Sequence, residues 1–245
     1  MPPPQPSQVD IVLVHSSDLH VDDEHNATKP SDGTAGLAAV LAAAHAHRAD
    51  IVLLAGDTFD NNRVRAPVLD RAGRLLADAG MPVVILPGNH DPALPNSVFQ
   101  RGGFASIPTV SIVGITHDEA VAFPTHDLEI WGHAHRDYEN MAPLRGPRAR
   151  TTRWQIAIAH GHYEPPHNLA TPLRPSWLFS DDHIAETQAD YLALGHWDRP
   201  ARVGNGAVPA YYSGSPDLAQ TVNVIRLTPA GEVLVSREPL RWDHE

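Results

Sequence analysis

Three short apolar runs, each cut off by a glycine or a polar turn, constrain this chain more than any other feature. DIVLVH at 10–15, IVLLA at 51–55 and VVIL at 83–86 are dominated by β-branched and aliphatic residues and read as buried strands. Between the first two lies an Ala-rich stretch, Gly36 to His47, helical in pattern, with His45 and His47 expected to face solvent. Between the second and third, Pro67 to Ala79 reads as an amphipathic helix with Val68, Leu69, Leu75 and Leu76 on its core face. Strand, helix, strand predicts right-handed parallel units. The three strands then share one carboxyl edge, where sites in open α/β sheets form.

That edge carries chemistry. The first run leads into SSDLH; in an extended segment Asp18 and His20 point the same way, as two ligands of one ion require. The second leads into GDTFDNN, which sets Asp57 beside Asp18, with Gly56 permitting close backbone approach and Asp60 placed to hydrogen-bond the ligands from behind. The third stops at Pro87-Gly88 and presents Asn89, His90 and Asp91 together. An amide oxygen can bind a hard metal ion, an imidazole can move a proton, and Asp91 is placed to fix the tautomer of His90.

From Phe99 onward the pattern is of shorter strands and tight turns, at 110–115 and 128–131. The basic loop LRGPRARTTRW follows, with Arg145, Arg148, Arg150 and Arg153. Its plainer reading is a solvated loop; its functional reading is a clamp for a phosphate or an acidic substrate, with Arg148 and Arg150 as substrate contacts. A strand at 155–159 ends in His160-Gly-His162, a helix is expected near 181–188, and a strand at 191–194 ends in Gly195-His196-Trp-Asp198. Two last strands, 222–227 and 233–237, follow the turn YYSGSP. No repeat or linker divides the chain, so a single domain over 9–245 is expected, after a disordered lead at 1–8.

Composition excludes several functions. The chain has no cysteine, which removes disulfides and thiolate metal sites, and cytoplasm is the default compartment. It has no apolar run of membrane-spanning length, and MPPPQPSQ lacks the basic and apolar regions of a signal peptide. The net charge is −11, and Lys29 is the one lysine among 18 basic residues, a poor design for gripping long nucleic acid by charge alone. The 16 histidines matter through placement. Asp18, His20, Asp57, Asn89, His90, His160, His196 and Asp198 all fall at strand ends, an oxygen-and-nitrogen set rich enough for two divalent ions. Such ions lie roughly 3.5–4 Å apart across a bridging carboxylate, for which Asp57 is central. Water held between them becomes acidic and faces a bound phosphorus, while His90 is placed to stabilise or protonate the departing oxygen.

The ordered series SDLH, GDTFD, GNHD, AHG and GHWD resembles the calcineurin-like metallophosphoesterase superfamily, over about Asp10 to Leu227. GDTFDNNRV, DYLALGHWDRP and YYSGSP are similar to its SbcD-type DNA-repair exonuclease branch. The resemblance implies an α/β fold, a four-layer α-β-β-α sandwich, and a dinuclear centre. By position, one ion would take Asp18, His20, Asp57 and Asp198, and the other Asp57, Asn89, His160 and His196. His90 matches the family's catalytic histidine and Asp91 its orienting partner. Manganese is usual in that branch, iron and zinc elsewhere. Its nucleases dimerise through helices near the second and third motifs, so a homodimer is an expectation of the resemblance alone; a partner ATPase is not written in these residues.

Two departures stand out. Asp198 occupies the second histidine of the usual G-H-x-H, either as an anionic ligand or facing away with water in its place. The branch's nucleases also carry further C-terminal segments with no counterpart here. A better G-H-x-H match, Gly132 to His135, is set aside because position and flanking sequence favour 196; His133 and His135 read as a surface turn or as neighbours of the site. His162 stands open between a structural role and one at the site, including substrate contact, and His25, His117, His126, His167 and His183 read as surface residues. The expected function is a phosphodiesterase acting on a nucleotide or short nucleic acid, with a phosphomonoesterase, an exonuclease subunit or a non-catalytic binding protein as alternatives.

Overall fold

The computed structural model describes residues 9–22, 33–139, 141–165 and 177–242; the expected lead at 1–8, and His25 and His167, lie outside them. Strands β1 (Ile11–Ser16), β2 (Ile51–Ala55) and β3 (Val83–Leu86) pair in parallel, and helices α1 (Ala35–Ala46) and α2 (Ala66–Ala77) form the crossovers. After the short α3 (Val98–Arg101), β4 (Val110–Ile112) extends this sheet in parallel beyond β3. A second sheet grows from β5 (Ala120–Phe123), β6 (Leu128–Gly132) and β7 (Trp154–His160). The small pair β8 (His162–Tyr163) and β9 (Leu178–Phe179) and helix α4 (Asp181–Glu186) precede β10 (Tyr191–Gly195), which lies parallel to β7. β11 (Ala201–Val203) and β12 (Ala210–Tyr212) finish the second sheet, and after α5 (Pro216–Ala219) the chain returns to the first as β13 (Thr221–Leu227) and β14 (Val233–Pro239).

Spatial order is β14-β13-β1-β2-β3-β4 in one sheet and β11-β12-β10-β7-β6-β5 in the other. Two-residue alternation divides each strand between two cores. Leu13, Ile51, Leu53, Val84 and Leu86 meet Ile156, Ile158, Tyr191 and Ala193 in the layer between the sheets. Val12, Val14, Val52, Leu54, Val83 and Ile85 face outward onto Leu37, Val40, Val68, Leu69 and Leu76 of α1 and α2. The outer face of the second sheet, with Ala157, Ala159, Leu192 and Leu194, packs against Phe179 and Ile184. The layering is the expected α-β-β-α; among the described residues α4 is the helix in the fourth layer. No helix among them is long and apolar enough to cross a membrane.

One polar group is locked between the sheets. His15 is fully buried, with Nδ1 3.0 Å from the Tyr191 hydroxyl and Nε2 3.2 Å from the Leu194 carbonyl. Burial lowers its pKa to about 3, against the smaller opposing pull of the Leu194 carbonyl. The folded chain therefore holds this imidazole neutral, while the unfolded chain protonates it near pH 6.5. Its contribution to stability is complete above pH 6.5 and falls as pH drops towards 3, by up to about 1.4 kcal/mol per pH unit. The expected result is that urea unfolding of wild type loses stability between pH 7 and 5 faster than that of His15→Gln. Parallel losses in the two proteins would count against this assignment.

Candidate metal centre

The carboxyl ends of strands from both sheets converge on one edge, and glycines let them touch. A Cβ on Gly56, which has φ +90°, would strike the His160 ring, and one on Gly195 would strike the Ala55 carbonyl oxygen. The loops after β1 and β2 are zipped together by backbone bonds from Asp18 N–H to Gly56 O (3.0 Å), His20 N–H to Asp57 O (3.1 Å) and Val21 N–H to Thr58 O (3.0 Å). The zip brings ligand atoms of Asp18, His20 and Asp57 within 4.8 Å of one another.

These side chains do not converge through an extended segment, as expected from the spacing. Asp18 (φ 54°), His20 (φ 45°), Asp57 (φ 49°) and His196 (φ 106°) all adopt the left-handed region, four of the nine described non-glycine residues that do. Each such conformation costs of order 1–3 kcal/mol and persists where surrounding structure enforces it. Here the bent backbone turns Asp18, His20 and Asp57 onto one point and His196 towards the Asn89 amide beside it.

A second donor set adjoins the first. His160 Nε2 lies 3.1 Å from Asp57 Oδ2 and 3.0 Å from Asn89 Oδ1, and His196 Nδ1 lies 3.3 Å from the same amide oxygen. The other His160 nitrogen, Nδ1, sits 2.9 Å from the Ala55 carbonyl and must carry the hydrogen. Nε2 of the neutral ring then presents a lone pair, so three acceptor atoms face one another and need a proton or a metal cation among them. Burial opposes charge on both partners, yet their mutual attraction wins, holding Asp57 below the usual carboxylate range and raising His160. Asp18 goes the other way, raised first by burial and further by the Asp57 charge beside it, against the pull of His160. Two buried carboxylates beside one imidazole call for more positive charge than a single proton brings. Oxygen and imidazole donors with Asp57 common to both sets fit a pair of divalent ions.

Asp18 is fixed by Ser17 Oγ at 2.5 Å, which also meets Ser213 Oγ at 2.9 Å, and by the His196 N–H, 3.1 and 3.0 Å from its two oxygens. Ser213 belongs to the YYSGSP turn, which thereby gains a supporting place at the centre that its sequence alone did not assign.

His90 stands exposed at the edge of the sets, its N–H donating to Asp57 Oδ1 at 2.9 Å and its ring edge-on to His20 at 4.8 Å. Its Nδ1 is 2.8 Å from the backbone carbonyl of Asp60, whose carboxylate lies 3.2 Å from His20 Nδ1. One residue thus braces two histidines, and Asp60 has the supporting place expected of it. The expectation that Asp91 orients His90 is corrected. Asp91 is fully buried beneath the turn, accepting from Gly88 N–H at 2.7 Å and Phe59 N–H at 2.9 Å, and burial, then the Asp57 charge, pushes its carboxyl up to about 7. Both oxygens are spent on backbone donors that would otherwise be buried unsatisfied.

Three further expectations change. Asp198 is exposed and belongs to no ligand cluster among the described residues. Trp197, stacked on Tyr212 at 4.4 Å, anchors this segment, and the Asp198 carbonyl accepts from Ser215 N–H at 3.0 Å, so its side chain is left facing water. Arg148 is bidentate to Glu129 (2.8 and 3.2 Å) and Arg150 to Asp190 (2.8 and 3.2 Å). Those partners lie where β6 and β10 begin, roughly 15–20 Å along the strands from the His160 end. The arginines staple the far edge and are not substrate contacts. His135 is no surface turn: it is fully buried, Nε2 2.9 Å from the His160 carbonyl, behind the centre. His133 leans on Glu119 at 3.5 Å. His162 reaches the rim, its ring 5.9 Å from that of His196 and its Nδ1 accepting from Trp197 Nε1 at 3.1 Å.

A family model described as calcineurin-like phosphoesterase matches residues 11–200. Among solved structures, one aligns over 94% of this chain and 99% of its own at 11% identity, with a TM-score of 0.59. The crystal structure of TT1561 of Thermus thermophilus aligns over 93% of this chain and 98% of its own at 14% identity, with a TM-score of 0.58. At such identities the likeness is one of fold. No curated protein matches in sequence.

Proposed function

This chain belongs to the calcineurin-like phosphoesterase family, and from that premise we propose that it is a dinuclear phosphodiesterase acting on a nucleotide or short nucleic acid. The observation that carries the reading is the placement of Asp57. Its carboxylate lies within 4.8 Å of the Asp18 and His20 ligand atoms and 3.1 Å from His160 Nε2, so one side chain serves both donor sets. Divalent ions, when bound, supply the charge that makes a water acidic and neutralises phosphate oxygens. Asp18, His20 and Asp57 would hold one, and Asp57, Asn89, His160 and His196 the other. The oxygen-rich first set suits manganese.

The chain's own part in the reaction falls to His90. Asp60 takes up Nδ1, so Nε2 is the nitrogen turned to the substrate. His90 acts as the imidazolium: its Nδ1 hydrogen stays on the Asp60 carbonyl, and as the P–O bond to the leaving group breaks and the new bond to the water oxygen forms, the second proton, on Nε2, passes to the departing oxygen and leaves the ring neutral. The motifs quoted above favour the SbcD-type branch, and the net charge of −11 favours short substrates over long duplex.

The test is metal content by mass spectrometry with manganese-dependent hydrolysis of bis-p-nitrophenyl phosphate. Two ions per chain are expected, and a fall in kcat of about 10²–10⁴-fold in His90→Ala, the usual worth of a general acid. One ion or none, with no turnover in any divalent metal, would overturn the reading. Rapid digestion of long linear duplex would overturn the preference for short substrates.

A further inference from the structure

Beside His90 the loop between β2 and α2 opens a cleft of about 650 Å³. That volume lies in the range of small-molecule sites. Asp60 is at once a wall of this cleft and the residue whose carbonyl holds His90 Nδ1 at 2.8 Å and whose carboxylate lies 3.2 Å from His20 Nδ1, so the cleft borders the centre on the Nδ1 side of these two histidines. Asn61, Asn62, Arg63 and Arg65 continue the wall, and Tyr138 closes it from another segment.

The wall is braced from behind. Asn62 Oδ1 accepts from Val98 N–H at 2.8 Å, while Nδ2 donates to the Pro92 carbonyl at 3.1 Å and to the Tyr138 hydroxyl at 3.3 Å. Arg101 Nη2 donates to the carbonyls of Asn62 (2.9 Å) and Val64 (3.1 Å). A loop held at this many points has little left to lose on binding. It leaves Tyr138 49% exposed, with its hydroxyl engaged by Asn62.

The cleft carries both charges. Asp22 lies next to Asp60, because Val21 pairs with Phe59 and the Asp60 N–H donates to the Val21 carbonyl at 3.1 Å. Arg63 and Arg65 belong to the same lining. No described residue takes up the guanidinium of Arg63, whereas Arg148 and Arg150 are both committed to carboxylates. An exposed aromatic residue and a guanidinium with no described partner lining one cleft match a planar base linked to a phosphate.

Resting on the proposed hydrolysis, we propose that this cleft is a substrate subsite bordering the centre and takes a nucleotide, base on Tyr138 and its own phosphate on Arg63.

The test is calorimetric titration of the full metal-bearing chain with AMP, adenosine and ribose 5-phosphate, for wild type, Tyr138→Ala and Arg63→Gln. AMP is expected to bind tighter than either fragment. Tyr138→Ala should weaken AMP and adenosine at least about five-fold while affecting ribose 5-phosphate less. Arg63→Gln should weaken AMP and ribose 5-phosphate while sparing adenosine. AMP binding no tighter than ribose 5-phosphate, or AMP affinities unchanged in both variants, would overturn the subsite. Binding needs no turnover, so the two readings part cleanly. Hydrolysis of bis-p-nitrophenyl phosphate without this pattern defeats the subsite alone, and the pattern without hydrolysis supports the nucleotide site while defeating the hydrolytic function.

Discussion

Asp57→Asn is expected to reduce hydrolysis to background with the fold intact. Asn keeps the shape and one acceptor for the His90 N–H, now 2.9 Å from Oδ1, but removes the charge shared by both donor sets. If each ion contributes about 3 kcal/mol of transition-state stabilisation, losing both costs ~10⁴-fold or more in kcat. Metal content should fall with activity, while circular dichroism should match wild type. A variant that keeps two ions and more than a tenth of the activity would remove Asp57 from the bridging position.

Gly195→Ala is the second large effect, and its cause is steric. The added methyl would collide with the Ala55 carbonyl and lie 2.8 Å from both His160 Nδ1 and Ser17 Cβ, with no flexible side-chain tip available to yield. Overpacking of this kind costs about 1–3 kcal/mol and occasionally more. Here it should reach the upper end, because opening the gap separates the Ala55 carbonyl from the ring whose tautomer it sets. For a chain of this size about 3 kcal/mol lowers Tm by roughly 6–12 °C. Gly146→Ala, where a Cβ meets nothing within 4 Å, is the control and should shift Tm little. Equal Tm values for the two variants would show that the sheets tolerate separation at this edge.

How much of this was legible in the sequence follows from which forces act locally. The strands at 51–55 and 83–86 were plain because unbroken apolar runs leave few alternatives, and the Asp and Asn-His turns follow from where those runs stop. The short β11 and β12 went unread, since Ala201–Val203 and Ala210–Tyr212 owe their strand state to pairing across the sheet. The fates of Asp91 and Asp198 were also hidden. Asp91 is decided by the N–H of Gly88 in its own turn together with that of Phe59, 32 residues away, and Asp198 by Trp197 stacking on Tyr212; the Phe59 bond and the ring stack leave no local pattern. The arginine loop misled for the same reason: Glu129 and Asp190, its partners, are 19 and 40 residues away in the chain. The matching motif at His133 and His135 shows the limit from the other side, because spacing alone does not say which histidines face the same point.

Both sheets contribute to the centre, and this has a consequence for how the protein comes apart. Asp57 and Asn89 follow strands of one sheet, His160 and His196 strands of the other, and the bond from His196 N–H to Asp18 joins residues 178 apart. Neither half of the chain can assemble the second donor set alone. Ions held there act as rivets driven through a seam, fitted only after the two sheets have docked and adding their binding free energy to that single step. A chelator would then work as a selective denaturant. It would leave each sheet's hydrogen bonds untouched and loosen only the join between them, so that exchange protection fades first along β2, β7 and β10 at the carboxyl edge.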